Sequence, residues 1–173
     1  MGVSGSGKTS IGQALSSELD WSFYDGDDYH PPENVEKMSR GIPLSDEDRF
    51  IWLEILSNLL AEKYLAGENL VLACSALKQV YREKLRSNKA HLTFVYLEGD
   101  FDLISERMRA RQEHYMKPEM LRSQFEILEP PQDALTLSIN RPVSENVNTI
   151  IEYLSEEHDL RDLTREETHE SCS

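Results

Sequence analysis

The sequence predicts an α/β fold of three layers, a parallel sheet between helices, and three observations predict it. Short apolar runs alternate with longer stretches of helical periodicity, the pattern of strands joined by crossover helices. Gly2 to Thr9 match the phosphate-loop pattern G-x-x-x-x-G-K-[ST] and lead straight into a helical pattern. Charged side chains gather just after strand candidates, where open α/β sheets place their ligands.

The elements follow in order. A helix from Thr9 to Leu19 carries Ile11, Ala14, Leu15 and Leu19 on one face. Strand candidates are Trp21 to Tyr24, Leu70 to Cys74, Leu92 to Leu97 and Leu135 to Ile139. Further helices are expected at about Asp46 to Leu65, Lys78 to Leu85, Phe101 to Arg111, Pro118 to Leu128 and Glu145 to Leu154. The helix from Asp46 has a clear start, because Ser45 can cap it and Asp48 sits where a capping box wants an acid. Its apolar face, Trp52, Ile55, Leu56, Leu59 and Leu60, reads as core packing. After Leu154 the pattern decays into residues 155–173, with seven acids and only Arg161 and Arg165 as bases, expected to be frayed helix or a flexible acidic tail.

At 173 residues the chain suits one domain, residues 1–154, with a small lid. A net charge of −14 argues against general affinity for nucleic acid or for an anionic membrane, so clustered basic residues carry meaning. Two cysteines, Cys74 in an apolar run and Cys172 near the end, offer neither a disulfide framework nor metal-ligand spacing. No apolar run reaches membrane-spanning length and no cleavable signal precedes the loop, so a cytoplasmic location is expected.

The loop implies ATP or GTP. Its residues Gly2, Val3, Ser4, Gly5, Ser6 and Gly7 can aim backbone N–H groups at phosphates, Lys8 reaches the β- and γ-phosphates, and Thr9 offers a hydroxyl to Mg2+. After the strand at Trp21 to Tyr24 come Asp25, Asp27 and Asp28. A phosphotransferase needs one acid near the metal and one to orient or deprotonate the acceptor, while the plainer reading is a solvated acidic turn ended by His30-Pro31-Pro32. Lys78 and Arg82, four residues apart, can anchor an anionic substrate or simply begin a salt-bridged helix. Arg49 either pairs with Asp46 or leans into the cleft. Arg107 and Arg111, also four apart, suit a mobile lid that neutralises the transferred phosphoryl group, or else an exposed basic helix end.

Several segments together carry a family resemblance. They are Gly2 to Thr9, Asp25 to Pro31, Asn34 to Met38, Gly41 to Leu44, Asp46 to Arg49, Cys74 to Lys78 with Tyr81-Arg82, and Gln124 to Glu126. Over about residues 2 to 154 the chain resembles the gluconokinases, small P-loop kinases related to shikimate kinases. The resemblance implies transfer of the γ-phosphoryl of ATP to the 6-hydroxyl of D-gluconate, giving 6-phosphogluconate for the pentose phosphate route. It implies a lid over about residues 107–126, Lys8 and the loop on the phosphates, and Thr9 and Asp25 near Mg2+. Asp27 is then the favoured base, Arg49, Lys78 and Arg82 contact gluconate, and Arg107 and Arg111 serve the lid. Gln124 contacts substrate or supports the lid, and a homodimer is implied. Where the family's lid commonly has glycine before the histidine, this chain has Glu113 before His114. The rival readings are another small-molecule kinase, of the shikimate or nucleoside monophosphate type, and a non-catalytic binding or regulatory form.

That last reading arises because only Met1 precedes Gly2, so the strand that a phosphate loop ordinarily follows is not in this sequence. The expectation is a chain shortened at its amino end. With strands about 4.8 Å apart, loss of a central one leaves a gap of about 10 Å or forces the sheet to pair anew.

Overall fold

The computed structural model describes residues 1–88, 90–110 and 118–170, with side chains described as far as Glu156 except at positions 110, 118 and 119. Helix α1 (Lys8–Leu19) follows the phosphate loop, and Gly7, its N-cap, has φ 93°, a left-handed angle that glycine adopts without strain. Strand β1 (Ser22–Asp25) pairs in parallel with β2 (Leu70–Ala73), in the register Ser22 with Leu70 through Asp25 with Ala73. Both strands thus end at the same edge. Between them lie a short 3-10 turn (Gly26–Tyr29), α2 (Pro32–Ser39) and α3 (Asp46–Leu65).

The predicted boundary of α3 is present in detail. Ser45 Oγ accepts from the Asp48 N–H at 3.2 Å and Asp48 Oδ2 accepts from the Ser45 N–H at 2.9 Å, the reciprocal capping box. Helix α2 was not anticipated. The His30-Pro31-Pro32 run looks like an end, yet proline is tolerated in a helix's first turn, where its missing N–H has no intrahelical partner anyway. Helix α4 (Gln79–Arg86) follows β2, then β3 (Val95–Glu98), α5 (Phe101–Ala110), α6 (Pro118–Ile127), β4 (Leu135–Ser138) and α7 (Val143–Glu170). The helical backbone of α7 continues well beyond Leu154, through the acid-rich segment.

Strands β3 and β4 also pair in parallel, but among the described residues they share no ladder with β1 and β2. Two residues, Met1 and Gly2, connect the two pairs at one end. The Met1 amino group donates to Val95 O, and Leu97 N–H donates to Met1 O at 2.9 Å, which is the pattern of one parallel bridge opposite Tyr96. On the other side Gly2 N–H donates to Ser75 O, just past β2, at 3.1 Å. Behind this stitch a cavity of about 420 Å3 separates the half-sheets, lined by Leu70, Leu72, Phe94, Val95, Leu15 and Ile150 among others. Burial, with Lys8 adding to it, lowers the pKa of the Met1 amine to about 5.

The core divides along the same line. Val3, Ile11, Leu15, Leu97, Ile104, Leu137, Ile139 and Ile150 form one apolar cluster, around β3, β4, α1, α5 and α7. Trp52, Leu53, Leu56, Leu60, Tyr81 and Leu85 form the other, between α3, α4 and β2, with Met1 packed on it. Strand β2 serves both, Val71 facing the first cluster and Leu70 and Leu72 the second, as alternation along a strand requires.

Candidate active site

The phosphate loop is held by its neighbours on one side. Gly5 has φ 80°, and a Cβ there would stand 2.7 Å from Met108 Cγ, so the loop lies against α5 as only glycine allows. Gln124 of α6 grips the loop from above: its Oε1 accepts from the Ser4 N–H at 2.7 Å and its Nε2 donates to Ser4 Oγ at 3.0 Å. Lys8 Nζ donates to the carbonyls of Gly2 and Val3 at 3.1 and 3.0 Å. Burial pushes its pKa down, against the pull of Asp27, Cys74 and Asp25. A half-buried ammonium resting on neutral carbonyls is a cation that gains from an incoming anion, so the loop fits a nucleotide's phosphates.

Beside the loop, Thr9 Oγ1 donates to Asp25 Oδ2 at 3.0 Å, while Asp25 Oδ1 caps the 3-10 turn by accepting from the Asp27 N–H at 3.2 Å. A hydroxyl and a carboxylate in contact are hard oxygen donors of the kind Mg2+ takes together with substrate phosphates, so this pair fits that ion. The Asp27 side chain is 81% exposed, and its nearest ionisable partner is His30, whose Nε2 lies 3.9 Å away. His30 stacks on Trp52 with ring centroids 4.3 Å apart, and burial lowers its pKa, which favours the neutral ring. Trp52 Nε1 in turn donates to Gly26 O at 2.7 Å, pinning the turn that presents Asp27.

A cationic cluster lies at the start of α3. Lys78 Nζ donates to both Asp46 oxygens at 2.9 and 2.8 Å, the Tyr81 hydroxyl donates to Asp46 Oδ1 at 2.6 Å, and Arg49 Nη1 stands 3.8 Å from the same oxygen. Hydrogen bonding from Lys78 first and then from Tyr81 holds the Asp46 pKa below the usual carboxylate range. Arg49 also donates to Leu44 O at 2.6 Å, so it is tied locally and still reaches over the Tyr81 ring.

Arg82 is 4% exposed, and its Nη1 donates to the carbonyls of Ala76 and Leu77 at 3.1 and 3.2 Å, bracing the loop after β2. Lys78 is the N-cap of α4, with extended angles, so the pair does not lie within one helix. Arg107 Nη2 donates to Ile139 O at 2.8 Å, tying α5 to the end of β4. Arg111, Glu113, His114 and Cys172 lie outside the described residues. Cys74 is buried, which pushes its thiol up to about 12 and leaves it protonated and inert.

Sequence reasoning gave no role to Tyr81 and saw Asp46 only as a local partner for Arg49. The available signal was Tyr81 three residues beyond Lys78 and Asp46 directly after the capping serine.

Comparison with known proteins follows the same lines. The family model described as shikimate kinase matches residues 4–155. A Mus musculus protein named probable gluconokinase is 43% identical over 89% of this chain and 95% of its own length. The thermosensitive gluconokinase of Escherichia coli is 47% identical over 83% of this chain and 79% of its own. A crystal structure of a gluconokinase from Sinorhizobium meliloti superposes with a TM-score of 0.84 at 40% identity, covering 93% of this chain and 94% of the other.

Proposed function

The chain belongs to the shikimate kinase family and, within it, to the gluconokinases, and on that premise we propose that it phosphorylates D-gluconate with ATP to give 6-phospho-D-gluconate. The observation that carries this reading is a continuous succession of charge across one strand edge. Thr9, next to Lys8, donates to Asp25, Asp27 stands 3.9 Å from His30, and Arg49 joins the Lys78–Asp46–Tyr81 cluster. A phosphate-binding end and an anion-binding end therefore flank a carboxylate, as transfer to an acid sugar requires.

In this arrangement Lys8 and the backbone N–H groups of the loop hold the β- and γ-phosphates. Thr9 and Asp25 would hold Mg2+, whose charge offsets that of the phosphates when it is bound. Arg49, Lys78 and the Tyr81 hydroxyl take the gluconate carboxylate and neighbouring hydroxyls, placing the 6-hydroxyl near Asp27. The hydroxyl oxygen bonds to the γ-phosphorus, the bond to the β–γ bridging oxygen breaks, ADP departs and Asp27 accepts the hydroxyl proton. Arg107 and Arg111 neutralise charge on the moving phosphoryl group, and Gln124 fixes the loop through Ser4. A homodimer and a cytoplasmic location, where ATP is at hand, belong to the same proposal.

The test is ADP release by the purified chain with Mg-ATP and D-gluconate. Gluconate-dependent turnover, lost in Lys8→Ala, supports the reading. Turnover with shikimate or a nucleoside monophosphate and none with gluconate overturns it.

A further inference from the structure

Asp46 accepts hydrogen bonds from two donors that the acceptor site needs, Lys78 and Tyr81, and stands beside the third, Arg49. Helix capping does not require it there, since Ser45 and Asp48 complete the capping box of α3 by themselves. Nor does the packing of α3 on α4 require it. Leu53, Leu56, Tyr81 and Leu85 are buried between those helices, and Ser57 Oγ donates to Leu85 O at 3.2 Å. An ion pair whose carboxylate is 43% exposed contributes little to stability.

What the carboxylate does is collect cations. The Arg49 guanidinium and the Lys78 ammonium stand 5.9 and 5.5 Å from the centroid of the Tyr81 ring, and Phe50 meets that ring edge-on. Two like charges over one ring repel unless an anion lies between them, and Lys78, on a flexible stem, otherwise spreads over many rotamers. Together Arg49, Lys78 and Asp46 leave one net positive charge, matched to one carboxylate.

Resting on the function proposed above, we propose that Asp46 is a positioning residue for the acceptor anion, holding Lys78 and Arg49 over Tyr81 as a pre-formed cationic seat. The entropy of fixing these side chains is then spent on folding and not on binding.

Steady-state kinetics and calorimetric binding of the wild type, Asp46→Asn and Asp46→Glu decide this. In Asp46→Asn the gluconate KM is expected to rise about tenfold or more, with kcat and the ATP KM within about threefold, because an interaction made equally with ground and transition state is removed. Binding of the uncharged polyol glucitol stays unchanged, and Asp46→Glu recovers most of the gluconate affinity. A role in structure alone would move the melting temperature without this split between anionic and neutral ligands. The inference is overturned by a gluconate KM within twofold of wild type, by a lowered KM, which would make Asp46 a competitor of the substrate, or by loss of cooperative melting. Wild type that turns over no gluconate overturns the proposed function and this inference together. Wild type that turns it over, with an indifferent Asp46→Asn, overturns this inference alone.

Discussion

The β1–β2 pair ends in side chains that join the site, Asp25 on β1 and the loop leading to Lys78 after β2, whereas the β3–β4 pair ends in Glu98 and Ser138 and meets the phosphate-loop region mainly through backbone and packing. Ile139 O holds Arg107, Leu97 N–H and Val95 O hold Met1, and Ile104 and Met108 of α5 crowd Gly5. One half carries acids and the acceptor-side cations, and the other grips the phosphate loop. The loop spans the seam: Val3 packs in the β3–β4 cluster, while the Gly2 N–H donates to Ser75 O after β2 and the Thr9 hydroxyl turns to Asp25 on β1. Phosphoryl transfer therefore runs across the seam, and each half can be broken separately.

The largest effect is expected on the β1–β2 side. Asp27→Asn keeps the size and polarity of an exposed side chain and removes the proton acceptor, so kcat should fall by about 10³-fold, in the usual range for a general base. The ATP KM should hardly move, because the loop grip on the other half is untouched. Single-turnover kinetics at saturating ATP checks this, and a kcat within tenfold of wild type would leave the catalytic step without Asp27.

The seam itself comes next. The Met1 amine has a pKa of about 5 in the fold against 8.0 when free, so the unfolded chain binds more protons between those values. Stability is complete above the free value and is lost as pH falls toward about 5, by up to about 4 kcal/mol at 1.36 kcal/mol per pKa unit. Melting curves at pH 8 and pH 5.5 should show the drop. Four or five alternating apolar residues added before Met1 replace the amine by an amide and place a strand against Leu70, Leu72, Phe94 and Val95. That extended chain should lose the pH slope of the amine and melt at least about 5 °C higher, at about 2–4 °C per kcal/mol for a domain of this size. Activity should rise with it. Unchanged melting in the extended chain would mean that the gap is not a strand position.

Much of this was legible in the residues, and what was not has definite causes. The phosphate loop, the α3 capping box and all four strands are local patterns, set by backbone needs that a few neighbouring side chains reveal. The bonds of Arg82 to Ala76 O and Leu77 O were not legible, because a spacing of four implies a shared face only when both residues are helical, and Lys78 lies one residue outside α4. Asp46 and Tyr81 stayed hidden because they meet across 35 positions, a pairing made by the packing of α3 on α4 that no local pattern encodes.

The smallest effect separates the halves from the other side. Gln124 spends both ends of its amide on Ser4, so its expected part is to hold the phosphate loop, and the β1–β2 half should not feel its loss. Gln124→Ala removes two hydrogen bonds of about 1 kcal/mol each, of which the loop regains a part from water, so the ATP KM should rise about threefold to tenfold. The gluconate KM and the melting temperature should stay close to wild type. Titration of the nucleotide without acceptor, set against titration of gluconate without nucleotide, reads the two halves independently. Equal weakening of both would mean that the loop transmits strain across the seam, so that the halves work as one unit. Weakening of gluconate alone would instead make Gln124 a contact of the acceptor.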